Sequence, residues 1–571
     1  MINERRTIRG DSMNYIIKQN SDDVIESIYS NRNLTEDEVT RLLSASEDDW
    51  EDPDNYPNMN RAYKCLMKHI KNNNVIYIQA DSDVDGLISC SILINFILKY
   101  LKYDNVYYLT HKGKQHGITN ETINSCIKGK IGLLITPDAA SSDITQMRIL
   151  AENNIDFISL DHHLYNPDDI PEYSLVVNNQ HPNVINKYGS GSMVTYKFMY
   201  YVAEMEGIDI GYDYLAEVNI ANIGDMCEMN AKCLENRFIY KLGSDLKNNT
   251  NEMIRVFAEN LNKKKKLTID DVSFGIVPKM NSIIRMGSSK EKEDVIESLI
   301  GSDEMVEYKY RGQTKVQSIY DSIIRISNKL KSQQKREINK YAESLNVLTK
   351  DTDKIIIVDG TEINSSLRGL LANKVMGEYQ KPTFILSRGT DNILRGSARG
   401  IGDKDLNELC QKSNLALHIG GHSMSFGISL MDNNVDKFIK YLNKELMGVD
   451  FSDKTEIDYE YKNNIPLEDL LDIADLDDIW TFNCKRPKIL IKNIKINSKS
   501  INKRGINLSF KVGDILYKRD FCSNVWFSNL ICEEDNPYHN KDLIIDAICE
   551  VKTTENNKAY INLIEIESEV M

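Results

Sequence analysis

Aspartates stand at i, i+2 and i+4 in Asp81-Ser-Asp83-Val-Asp85-Gly86, directly after the apolar run Val75-Ile-Tyr-Ile-Gln-Ala. Three carboxylates crowded at a strand end repel one another and lose hydration, which costs free energy unless cations neutralise them. Hard divalent cations take such oxygen ligands. A solvated Asp-rich turn is the plainer alternative. The pattern recurs, however. The apolar run from Ile131 ends at Thr136-Pro-Asp138, and the run from Ile155 ends at Asp161-His162-His163. Three apolar runs that each deliver metal-type ligands at their C-terminal ends form one pattern. A fourth stretch, Val218 to Gly224-Asp225, has a helical apolar pattern before its aspartate. Alone, an ordinary helix end at glycine explains it.

Ligands at strand ends need strands whose ends lie together. Helical patterns over 87–100 and 142–153 separate the apolar runs, and further strands are expected over 106–109 and 175–178. Strand-helix-strand alternation implies right-handed crossovers and a parallel sheet. Such sheets bind ligands along the carboxyl edge. A glycine-rich stretch, Tyr188-Gly-Ser-Gly-Ser192, leads into an aromatic helical segment over 193–201.

The chain has 571 residues, enough for several domains with a large core. No apolar run reaches the roughly 18–20 residues of a membrane span, and the first residues lack the apolar core of a signal peptide. Ten cysteines, none in a Cys-x-x-Cys pair, argue against a zinc ribbon or a disulfide framework and fit a reducing cytoplasm. A net charge of −15 argues against a general nucleic-acid coat protein but leaves room for a local basic groove.

Residues 1–60 read as a polar N-terminal extension with short helices, in which Trp50 is a packing anchor. Residues 61–250 carry the strand-helix unit. Residues 251–350 are lysine-rich and helical, and Lys263-Lys-Lys-Lys266 reads as a solvated face before it reads as a DNA contact. Residues 351–447 form a second α/β unit with strands over 354–359 and 382–386 and a helix over 367–379. Residues 448–486 are an acidic linker. Residues 487–571 alternate in strand fashion, which predicts a small β-barrel.

At this level of detail the chain resembles the DHH phosphoesterases. The resemblance rests on Asp-x-Asp-x-Asp-Gly at 81–86, the isolated Asp138, Asp161-His162-His163 and Gly224-Asp225. Three later stretches resemble the RecJ branch: Pro278-Lys-Met-Asn281-Ser-Ile-Ile-Arg285, Gly396-Ser397-Ala-Arg399 and Gly420-Gly421-His422. The match runs from about 61 to 571 in order. It implies a parallel-sheet DHH domain, a long helix that 318–345 suits, a second α/β DHH-associated domain, and a C-terminal OB-like barrel. Lys499, Lys503, Arg504, Lys518, Arg519 and Trp526 are candidate strand contacts on that barrel, with core packing an equal account of Trp526.

The resemblance also implies roles. Phosphodiester hydrolysis by two cations needs a bridging carboxylate and flanking ligands for each ion. Asp138 looks like the bridge, Asp83 a ligand of one ion, and Asp85, His162 and Asp225 ligands of the other. His163 resembles the residue that faces the scissile phosphate, Asp161 orients the histidines, and Asp81 is a further outer acid. Mixed His and carboxylate ligation favours Mn2+ over Mg2+. Many family members have a histidine four residues before the first ligand aspartate; here Gln79 stands there, so the first ion loses a nitrogen or uses the Gln79 amide. Asn281, Arg285, Ser397, Arg399, Gly420, Gly421 and His422 look like a clamp for a terminal 5′ phosphate; a tight turn and a surface ion pair are the plainer account. The expected activity is 5′ to 3′ exonuclease action on single-stranded DNA in repair, recombination or replication. A single-strand-binding protein or a helicase stands as a candidate partner. The rivals are a DHH enzyme of small substrates (oligoribonucleotides, cyclic dinucleotides or phosphoadenosine phosphate) and a non-catalytic DHH scaffold of a replication complex.

Overall fold

The computed structural model describes residues 6–7, 13–111, 115–225, 233–402, 404–451, 454–481, 484–497, 501–504, 507–519, 542–554, 556 and 558–570. At some strand positions, His422, Lys503 and Arg504 among them, only the backbone is described.

Five parallel strands form the central sheet: β1 (Ile76–Gln79), β2 (Val106–Leu109), β3 (Leu133–Pro137), β4 (Asp156–Asp161) and β5 (Ser174–Asn178). Their order is β2-β1-β3-β4-β5. The chain leaves β1 to one side for β2 and returns on the other side for β3. That reversal opens a crevice at the carboxyl ends of β1 and β3, where open α/β sheets bind ligands. The buried Ile76, Ile78, Leu133 and Ile135 explain why these runs read as continuously apolar.

Helix α1 (Val84–Lys99) begins earlier than its apolar pattern suggests, with Asp83 as its N-cap, accepting from the Gly86 N–H at 3.0 Å. The aspartates themselves start the helix, because capping carboxylates satisfy its first N–H groups. Apart from its last turn α1 is apolar on nearly every side, and it is buried against α2 (Gly191–Glu206) and α3 (Leu215–Gly224). Trp50 packs edge-on to Tyr196, with the buried Lys197 ammonium 3.8 Å from its ring centre.

Two further helices matter for the site. Helix α4 (Val277–Met286) continues directly from a π-helical turn over Asp271–Ile276 and carries Pro278 near its start. Helix α5 (Ile319–Ala342) buries Ile319, Ile323 and Leu330 in the core of the first unit. Its far end lays Ile338 and Tyr341 against Val358, Leu371 and Val375 of the second. The second unit is a five-stranded sheet of β6 (Ile356–Asp359), β7 (Thr383–Arg388), β8 (Ile393–Arg399), β9 (Ala416–His422) and β10 (Ser425–Met431), in the order β6-β7-β8-β10-β9. Only β6 and β7 are parallel.

The C-terminal region differs from the barrel that the sequence predicts. Its strands join an eight-stranded sheet, and no closed barrel is found among the described residues. The ends of the described strand path are four (Tyr459–Lys462) and three (Asn502–Arg504) residues long, and they are not paired with each other. Trp526, Phe527 and Lys499 lie outside the described residues. Residues near the N-terminus belong to this region: Val24, Ile28, Val39 and Leu42 share a core with Leu470, Ile561 and Leu563. The short strand Tyr15–Ile17 pairs with Thr455–Ile457, and the Arg32 guanidinium binds Asp458 through both its terminal nitrogens, at 2.6 and 3.1 Å. Among the described residues no helix is long and apolar enough to cross a membrane.

Candidate metal centre and anion clamp

The strand ends bring the expected residues together at the β1/β3 crevice. His162 Nε2 lies 3.2 Å from Asp138 Oδ1, 3.4 Å from Asp225 Oδ2 and 3.9 Å from Asp85 Oδ2. One ligand atom each from Asp85, His162 and Asp225 falls within 4.8 Å of the others, and so does one each from Asp138, Asp161, His162 and His163.

Asp138 is the strained centre of this group. Its backbone has φ of 64°, in the left-handed region that a non-glycine residue rarely adopts. The side chain is buried, and Oδ1 makes no hydrogen bond; the close His162 nitrogen is not in hydrogen-bonding geometry. Burial, followed by the charges of Asp85, Asp83, Asp81 and Asp161, pushes its carboxyl well above the ordinary carboxylate range. A buried carboxylate oxygen without a donor, surrounded by four other carboxylates, is the environment that a cation neutralises. The donor set of oxygens and imidazole nitrogen fits a divalent ion.

Asp85 is held by backbone. Gly191 N–H donates to its Oδ2 at 2.7 Å and Ser192 N–H to its Oδ1 at 2.8 Å, both from the first turn of α2. Oδ1 also accepts from Ser89 Oγ at 3.4 Å, whereas Oδ2 keeps a second lone pair for an ion. The glycine is required sterically: a Cβ on Gly191 would lie 2.5 Å from Asp138 Cβ. The glycine-rich stretch noted in the sequence is thus part of the centre, which its spacing alone did not reveal.

Asp161 orients the histidines. It accepts from the N–H groups of Ser141 (3.0 Å), His162 (2.7 Å) and His163 (3.2 Å), and from His163 Nδ1 at 2.8 Å. Burial works to raise the Asp161 carboxyl, but His163, His162 and the Ser141 N–H outweigh it and hold it below the ordinary range. Burial would likewise lower His163; the Asp161 carboxylate, with Asp83 and Asp225, instead pushes it up to about 10.

Gln79 takes no part in a ligand set. Its Nε2 donates to Ala80 O and Leu109 O, and its Oε1 accepts from Thr122 Oγ1 at 2.9 Å. Asp81 is buried, against His116 and Gly117 rather than beside Asp138 alone. His116 is a residue that the sequence reading misses.

The clamp candidates come from two units. On α4, Asn281 and Arg285 are spaced i, i+4 and share a helix face. On the second sheet, the register sets Ser397 opposite Gly427 and Gly427 opposite Gly420, and Arg399 opposite Ser425 and Ser425 opposite His422. Gly421 has φ of 128°, and a Cβ there would meet Phe426 Cα and Ser425 O at 2.8 Å. Only the backbone of His422 is described. Burial lowers Arg285, against the pull of Asp83, and burial together with the Arg285 charge lowers Arg399 to about 10. These two half-buried guanidinium groups, within electrostatic reach of each other, offer charged donors of the kind that an anion takes.

A cleft of about 1360 Å³ separates segment 240–274 from the C-terminal sheet. Lys241, Lys265, Lys488 and Lys518 line it with Tyr240 and Tyr560. Lys518 Nζ sits 4.3 Å from the Tyr560 ring centre. In the lysine run, Lys263 pairs with Asp271 at 2.9 Å and Lys266 with Asp478 at 2.6 Å, so at least half of it is neutralised within the fold. Arg519 donates to Leu563 O at 2.7 Å, a structural contact.

Residues 75–221 match the model of the DHH family, N-terminal domain. YorK of the SPbeta prophage in Bacillus subtilis (strain 168), named as a single-strand DNA-specific exonuclease, is 31% identical over 534 residues, covering 89% of this chain and 89% of YorK. The single-stranded-DNA-specific exonuclease RecJ of the same organism is 24% identical over 507 residues, covering 85% of this chain and 60% of that protein. Among solved structures, RecJ in complex with Mn2+ from Thermus thermophilus has a TM-score of 0.68 at 16% identity, covering 97% of this chain and 79% of that one. At that identity the structural likeness speaks to the fold. The similarity to YorK extends over most of both chains, and with the family match it shows that the chain belongs to the DHH family, in its RecJ-like branch.

Proposed function

We propose that this chain hydrolyses phosphodiester bonds in single-stranded DNA, as an exonuclease working from the 5′ end with two divalent cations, Mn2+ in preference to Mg2+. The observation that carries the reading is the meeting of Asp85, Asp138, His162 and Asp225 around one buried, donor-less carboxylate oxygen. The names of YorK and RecJ support the substrate class. When bound, the cations supply a hydroxide-like nucleophile and offset charge on the phosphoryl oxygens.

The residues divide the remaining work. Asp138 would help to hold both ions, Asp83 one of them, and Asp85, His162 and Asp225 the other. Asp161 fixes the His163 ring through its Nδ1, which leaves Nε2 to donate to a phosphoryl oxygen. Arg285, Arg399, Ser397 and Asn281 take the terminal phosphate, with the Gly420-Gly421-His422 backbone beside it. A phosphate held at a fixed distance from the hydrolytic centre confines cleavage to the end of the strand. The lysine-lined cleft and the C-terminal sheet, read as OB-like, guide the unpaired strand. Segment 61–250 thus carries the chemistry, 251–350 the connection, 351–447 the clamp and 487–571 the strand path, with 1–60 and 448–486 joining them. A cytoplasmic setting, with a single-strand-binding protein or a helicase supplying unpaired DNA, suits such an enzyme.

The test is digestion of end-labelled single strands, with and without a 5′ phosphate, in Mn2+, Mg2+ or chelator. Mononucleotides released first from the 5′ label, in Mn2+ and not in chelator, are expected. First release from the 3′ end rejects the polarity. Activity confined to dinucleotides favours a small-substrate enzyme, and no activity on any substrate favours a scaffold.

A further inference from the structure

His116 lies on the far side of the aspartate run from His162. Its Nδ1 is 2.5 Å from Asp81 Oδ2, and one ligand atom each from His116, Asp81 and Asp83 lies within 4.8 Å of the others. Its loop is pinned: Gly117 N–H donates to Asp81 Oδ1 at 3.2 Å, and Ile118 N–H to Asp143 Oδ2 at 2.7 Å. Gly117 turns with φ of 68°, a conformation that glycine adopts freely. Behind the cluster sits His111, buried, with Nε2 making no hydrogen bond and 3.7 Å from Asp81 Oδ1. The Gln79 amide is hydrogen-bonded elsewhere, to Ala80 O, Leu109 O and Thr122 Oγ1.

We propose that His116, with Asp81 and Asp83, forms the seat of the first divalent cation, and that His116 supplies its nitrogen ligand. Asp81 then belongs to the ligand set rather than to the acids behind it. Octahedral ions hold neighbouring and opposite ligands at about 3 and 4.2 Å from each other, for bonds of about 2.1 Å. The observed spread of these atoms accommodates that arrangement after a small opening of the His116–Asp81 contact. The imidazole is half exposed, with 53% of its side-chain surface accessible, so it can swing onto an ion without unpacking the core. A site with one imidazole on each side also favours transition-metal ions over Mg2+.

This assignment rests on the two-cation reading above, and the test separates the two. Mn2+ is titrated into the full chain by calorimetry, and nitrogen couplings to the bound Mn2+ are read by pulsed electron paramagnetic resonance. The wild type is expected to take up two ions, with imidazole coupling at each. His116→Ala should weaken one ion at least tenfold and remove one coupling, leaving the other ion unchanged. His116→Gln keeps a hydrogen bond to Asp81 but lacks an imidazole, and should behave as His116→Ala does. If His116→Gln binds both ions as the wild type does, His116 only orients Asp81 and the assignment falls while the two-cation reading stands. If the wild type takes up no more than one ion, the two-cation reading falls, and this assignment with it.

Discussion

Gly191 donates its N–H to Asp85 Oδ2 at 2.7 Å, while its Cα faces Asp138 so closely that a methyl group there would lie 2.5 Å from Asp138 Cβ. One glycine therefore sets the distance between two acids that arrive from different strands. Gly191→Ala removes no candidate ligand, yet it must displace Asp138 backbone. A displacement of that kind costs roughly 100-fold in rate. Hydrolysis of a labelled single strand in Mn2+, compared with the wild type, should show it. Wild-type turnover would mean that the Asp138 position is not critical.

Asp138→Asn should act in opposite directions on activity and stability. Hydrolysis should fall on the order of a thousandfold or more, since the residue works as a unit with its neighbours. Metal-free protein should become more stable by on the order of 1–3 kcal/mol, because a buried carboxylate without a donor is replaced by a neutral amide. Chemical denaturation in chelator measures the second effect, and an unchanged midpoint would contradict it.

The clamp predicts a selective loss. Arg399→Ala should reduce the preference for a 5′-phosphorylated strand about 10- to 100-fold, the scale of a charge-assisted hydrogen bond. Rates on strands ending in a 5′ hydroxyl should change little. Equal losses on both substrates would place Arg399 in the hydrolytic centre instead.

For the cleft, ionic strength is the probe. Each of Lys265→Ala, Lys488→Ala and Lys518→Ala should lower the salt dependence of long-strand binding by about 0.7 in the log–log slope. Fluorescence anisotropy across a salt series reads the slope. Binding of strands too short to span the cleft should not change.

Glu217 gives a pH prediction away from the metal centre. It is buried on α3, and burial, only partly offset by hydrogen bonds including that from Asn251 Nδ2 at 2.8 Å, raises its carboxyl to about 7. An acid whose folded pKa is raised costs stability as pH climbs from its unfolded value, about 4.3, to its folded value. Below that window it costs nothing; above it the cost is complete, on the order of 3 kcal/mol. Glu217→Gln should therefore be the more stable protein at pH 8 and lose its advantage by pH 4. Parallel stability curves for the two proteins across that range would refute the assignment.

The carboxyl-edge ligands were legible because their signal is local. An apolar strand followed directly by Asp138 or Asp161-His162-His163 declares both the element and its cargo. The register of β8, β10 and β9 was not legible, nor was the Gly191 contact, since both depend on which strands and helices become neighbours. His116 carried no pattern of its own; its one hint was the glycine beside it, which turns the loop back toward Asp81. Among the described residues the strands form an open path rather than the expected closed barrel; alternation along a strand says nothing of what its free edge meets. Residues 1–60 looked like an appendage for a similar reason: the apolar partners of Val24 and Ile28 lie hundreds of positions downstream.

That last arrangement has a consequence for biosynthesis. Val24, Ile28, Val39 and Leu42 leave the ribosome hundreds of positions ahead of Leu470, Ile473 and Ile479, with which they share a core. The central sheet can mature while translation continues, but the helices Val24–Asn31 and Glu36–Ser44 must wait with their greasy sides partly bare until the segment around Leu470 to Ile479 emerges. Slowing translation of that segment should lengthen the vulnerable interval, and a nascent chain halted before it should be cut first by proteases between Val24 and Leu42.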